Sequence, residues 1–135
     1  MNASETNNGY MLIFRGTDWS KALSLEEMQQ VSEKWMAWFK GLMASGQAID
    51  GNPLEKDGKI VSGKNGKIVS DGPFAESKEA IGGYLMLKVD SMDEAVAIAK
   101  QCPGLDYGLR VEVRPVAERC ALLKKTSEAQ LAATA

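Results

Sequence analysis

The chain has 135 residues, 44% hydrophobic and 25% charged, with a net charge of −2. That length suits one domain with a core of its own, and the composition excludes collagenous and disordered classes. Charges of both signs are scattered rather than striped, which argues against a nucleic-acid partner, and the absence of histidine excludes Ser-His and Cys-His nucleophile pairs and the commonest zinc sites.

Residues 1–8 are polar and lack the basic start and apolar middle of a signal peptide, so they are expected to be disordered and the protein cytoplasmic. Tyr10-Met-Leu-Ile-Phe-Arg15 reads as a strand apolar and buried on both faces, and uncharged apolar runs are no longer than its Tyr10 to Phe14 portion, too short to span a membrane. Ser24 and Glu27 have capping-box spacing, with Leu23 and Met28 placed as a hydrophobic staple. The helix they open carries Met28, Val31, Trp35, Trp38 or Phe39 and Leu42 in one wide stripe, read as core packing on a sheet, and Gly46 offers a left-handed stop.

Gly58-Lys-Ile-Val-Ser62 is repeated as Gly66-Lys-Ile-Val-Ser70. The copies predict a hairpin with Gly63 to Gly66 as its loop, which sets Ile60 against Val69 and Val61 against Ile68. Asp71-Gly72-Pro73-Phe74 then reads as a strand-ending turn and an aromatic anchor, followed by Glu76, Lys78 and Glu79, whose simplest role is as solvated charges. From Ile81 to Val89 the chain alternates: Ile81, Gly83, Leu85, Leu87 and Val89 share one face, and Gly82, Tyr84, Met86 and Lys88 the other. Ser91 and Glu94 repeat the capping-box spacing ahead of a small-residue stripe of Ala95, Ile98, Ala99 and Cys102, stopped at Pro103-Gly104. The last strand, Leu109 to Pro115, sets Leu109, Val111 and Val113 against Arg110, Glu112 and Arg114. Residues 117–135 read as a fraying tail, and Cys102 and Cys120 as apolar fillers rather than a disulfide framework.

The order strand, helix, hairpin, strand, helix, strand predicts an α+β fold with a ferredoxin-like antiparallel sheet and both helices on one face. The other face would carry Tyr84, Met86 and Lys88 beside Arg110, Glu112 and Arg114. Because the first strand is apolar on both sides, a second copy covering that face is expected.

Taken together, Asp71-Gly72-Pro73-Phe74, Glu76, Lys78, Glu79, Gly83-Tyr84, Ser91-x-Asp93-Glu94-Ala95 and Glu112-Val-Arg-Pro-Val116 resemble the DGPF branch of the YCII-related family, over residues 9–116. The resemblance implies a dimeric α+β barrel, in which two sheets face one another around a cavity, here with an inserted β-hairpin. It also implies kinship with small monooxygenases and lactone isomerases that act on compact cyclic compounds. Some DGPF relatives occur with extracytoplasmic-function sigma factors. The His-Asp pair suspected as the active site of the narrower YCII branch has no counterpart in a chain without histidine.

Two functions follow as expectations. One is cofactor-independent acid–base chemistry on a small cyclic or anionic metabolite, with Asp71 and Glu112 as catalytic candidates and Arg110, Arg114, Tyr84 and Lys88 as ligand-binding candidates. The other is a non-catalytic ligand-binding or regulatory module using the same homodimer cavity. Neither calls for a metal or a cofactor.

Overall fold

The computed structural model describes residues 7–16, 18–72, 80–117 and 122. Strand β1 (Asn7–Arg15) leads to helix α1 (Leu25–Ala44), then β2 (Ala48–Pro53), a hairpin of β3 (Lys59–Ser62) and β4 (Ile68–Asp71), β5 (Ile81–Leu87), helix α2 (Met92–Ala99) and β6 (Arg110–Ala117). The main sheet has the order β2-β5-β1-β6 with every neighbouring pair antiparallel, while β3 and β4 form a separate two-stranded sheet. This is an α+β fold of ferredoxin-like arrangement with the hairpin inserted between β2 and β5.

The core is built by alternation. Tyr10, Leu12 and Phe14 of β1 and Leu85 and Leu87 of β5 face the helices, and Leu12, Leu85 and Leu87 are the largest fully buried side chains. Each such burial contributes about 1.5–3 kcal/mol. From the helix side, α1 contributes Leu42 to this cluster and α2 contributes Ala95, Ile98 and Ala99, so both helices cover one face of the sheet. The small residues of α2 let it sit close to β1 and β6. The first strand is therefore buried on one face only; Met11 and Ile13, on the other, are half-buried.

Both helices start where the capping residues lie. The Glu27 backbone N–H donates to Ser24 Oγ at 3.1 Å, and Ser24 N–H donates to Glu27 Oε1 at 3.0 Å, which closes the full capping box of α1. At α2 the Glu94 N–H donates to Ser91 Oγ at 3.2 Å. These contacts satisfy donors that the first helical turn leaves without partners.

Two features depart from the sequence reading. The edge strand β2 was not expected: Ala48-Ile-Asp-Gly-Asn-Pro53 contains Gly and Pro and is irregular between Ala48 and Asp50. An edge strand tolerates both residues, because only one of its sides must complete a ladder. The hairpin register is one residue away from that expected: Ile60 lies opposite Ser70, Val61 opposite Val69 and Ser62 opposite Ile68. This register brings Lys59 opposite Asp71, whose side chains form an ion pair, and lengthens the loop to a 3-10 turn at Lys64–Gly66 in which Asn65 adopts φ 60°. The α1 stripe, by contrast, packs on the core as expected. Val31 and Leu42 are buried, while Trp35, Trp38 and Phe39 are half-buried and Met28 and Met36 exposed.

Candidate ligand-binding face

The face of the sheet turned away from the helices is set by the register. Across it, Asn52 of β2 adjoins Tyr84 of β5, Tyr84 adjoins Ile13 of β1, and Ile13 adjoins Glu112 of β6. The next row runs Asp50, Met86, Met11, Arg114. Side chains directly opposite one another on such a face interact, so each row is a line of contacts rather than a sequence coincidence. The centre is therefore apolar, formed by Met11, Ile13 and Met86, and both flanks are polar.

On the β6 flank, Arg15 Nε donates to Glu112 Oε1 at 2.5 Å, and Arg114 Nε lies 3.6 Å from Glu112 Oε2. Glu112 thus stands between two guanidinium groups. The Arg15 and Glu112 side chains are only 23% and 32% exposed, which screens their pairing less than at an open surface. On the β2 flank, Tyr84 Oη donates to Asp50 Oδ2 and accepts from Asn52 Nδ2, both at 3.4 Å.

The expected site residues divide in consequence. Tyr84, Glu112 and Arg114 occupy one face, and Arg110 is paired in register with Arg15 at one end of it. Lys88 follows β5 at the other end and is exposed. Asp71 stands apart, in the two-stranded sheet, with its side chain 87% exposed and paired to Lys59. No described contact joins it to Glu112. Pro73, Phe74, Glu76, Lys78 and Glu79 lie outside the described residues.

Sequence reasoning missed Arg15, Asp50 and Asn52. Arg15 was detectable, since it alternates with Met11 and Ile13 on the first strand. Asp50 and Asn52 were not, because the strand that carries them was not recognised. Among the described residues no cluster of three or more Cys, Asp or Glu is placed to hold a metal ion, and no helix is long and apolar enough to cross a membrane.

A four-stranded antiparallel sheet with two helices on one face and a mixed polar and apolar second face defines a ferredoxin-like α+β protein. The YCII-related domain model matches residues 10–118, and the chain belongs to that family. It is also 41% identical over 51 residues to an uncharacterised protein of Rhizobium meliloti (strain 1021), an alignment covering 37% of this chain and 41% of that relative. The chain thus spans less than half the length of this relative.

Proposed function

We propose that the protein binds a small cyclic or anionic metabolite on the outer face of its main sheet, in a cavity closed by the same face of a second copy. The observation that carries this reading is the half-buried Glu112 carboxylate held between Arg15 and Arg114 beside an apolar floor of Met11, Ile13 and Met86. The floor suits the body of a compact ring. The guanidinium groups suit its anionic substituent, since their planar donor arrays match a carboxylate or an enolate.

Glu112 is the acid–base candidate of this site, with Arg114 and Arg110 stabilising negative charge and Tyr84 and Lys88 contacting the ligand; Asp71, on the separate hairpin, is a second candidate outside it. The protein would act in the cytoplasm without a cofactor. The inserted hairpin supports the presence of a second copy: Ile60, Val61, Ile68 and Val69 are all exposed, and an isolated two-stranded hairpin is marginal in water.

A non-catalytic module is the second reading, and one with a regulatory role in the manner of relatives found beside sigma factors. It is favoured by the engagement of Glu112 in ion pairs with two arginines, an arrangement that holds an anion whether or not a proton moves. Thermal-shift screening against small carboxylates and lactones, followed by turnover assays on each hit with Glu112→Ala and Asp71→Ala, separates the two. Turnover lost in either variant supports the enzyme. Stabilisation without turnover supports the module, and no stabilisation by any compound of this class overturns both.

A further inference from the structure

On the helix side of the sheet, α1 stands over a hole. Gly83 of β5 lies at its floor, between Phe14 of β1 and Pro53 of β2 in the register, where a Cβ would come within 3.0 Å of the Asn52 carbonyl oxygen. The helix presents Trp35 and Trp38 above it. The cavity between helix and sheet has a volume of about 680 Å³, within the size range of small-molecule sites.

Its walls are aromatic and mutually ordered. Trp35 meets Phe14 edge-on with centroids 5.4 Å apart, Trp38 meets Trp35 at 5.9 Å, and Trp19 stacks on Trp35 at 5.8 Å with an interplanar angle of 18°. All three tryptophans of the chain line this space. None of its lining residues carries a formal charge. A native interior closes to crystal-like density unless something else fills it, so a space of this size among half-buried rings is unlike ordinary core.

We propose that this cavity, which borders the outer face at Asn52 and Tyr84, is a binding site for a neutral planar compound of two or three fused rings. The rings stack among the indoles. A charged ligand finds no counter-charge here and would be desolvated without compensation.

The test uses the full chain and 2-naphthol as the probe, read by the indole N–H resonances of Trp19, Trp35 and Trp38 in ¹H–¹⁵N spectra. Saturable shifts of these resonances are expected, with a dissociation constant between about 1 μM and 1 mM. Ser32, exposed on α1 at the cavity edge, is replaced by Phe to obstruct entry without touching the core. Ser32→Phe weakens binding by roughly tenfold or more, equivalent to about 1.4 kcal/mol, while circular dichroism and Tm stay as in the parent. Met28→Phe, at another exposed lining position, gives the same loss if Ser32→Phe does not fold. Absence of saturable shifts overturns the proposal, as does binding that both variants leave intact. Shifts that appear only after removal of residues 118–135 would mean that the chain fills its own cavity, and benzoate binding as tightly as 2-naphthol would overturn the neutral-ligand assignment.

Discussion

Arg15 Nε donates to Glu112 Oε1 at 2.5 Å, joining the inner strand β1 to the edge strand β6 across 97 positions of sequence. The pair stabilises strand docking and shapes the proposed anion site at once. In a double-mutant cycle with Arg15→Gln and Glu112→Gln, urea unfolding is expected to give a coupling of about 1 kcal/mol. The coupling should shrink in high salt, since part of the pair reaches solvent.

The outer sheet face predicts an assembly. Ile13 sits at its centre and points away from the core, so Ile13→Glu leaves the core alone while placing a charge where a second copy would pack. Size-exclusion with light scattering should show a dimer for the parent and a folded monomer for Ile13→Glu. A monomeric parent would remove the shared cavity from the proposed function.

Gly9 and Gly16 supply an internal comparison. Both adopt φ +95°, but a Cβ at Gly9 would fall 2.3 Å from the Leu87 carbonyl oxygen, whereas one at Gly16 meets nothing within 4 Å. Gly16→Ala therefore carries only the left-handed backbone strain, about 1–2 kcal/mol. Gly9→Ala must also push β1 from β5, and roughly 2–4 kcal/mol is expected from denaturant midpoints.

Cys102 is buried in the core cluster, and that burial raises its thiol from 9.0 to about 11, against smaller opposing hydrogen bonds from the Gly104 and Leu105 backbone. The folded state thus holds its proton after the unfolded chain has released it. Its contribution to stability is full below pH 9.0 and is lost as the pH rises towards about 11. Iodoacetamide at about pH 8 should leave Cys102 unmodified in the native protein and label it in urea, as mapped by mass spectrometry.

Local signals were legible wherever a side chain and its purpose sit close together in the chain. Ser24 and Glu27 announce α1 because both halves of the capping box lie within one turn. The alternation from Ile81 to Val89 likewise separates Leu85 and Leu87 from Tyr84 and Met86, because a pleated strand has a period of two. The hairpin itself was readable from its repeat, but its register was not. Matching apolar residues to one another overlooked the pairing of Lys59 with Asp71 and the room taken by the 3-10 turn.

The sequence by itself determined the α+β order, the two helix starts, the core set of β5 and the residue types available to a site without histidine. Tertiary structure decided which of those residues meet. It recruited Ala48–Pro53 as an edge strand, because an edge position excuses Gly and Pro. It placed Arg15 on Glu112 and set Asp71 apart, because strand order across a sheet is a long-range choice that no local pattern carries. It also set the Trp stripe of α1, packed on the core as expected, along the wall of a cavity whose other residues come from strands far from the helix in sequence.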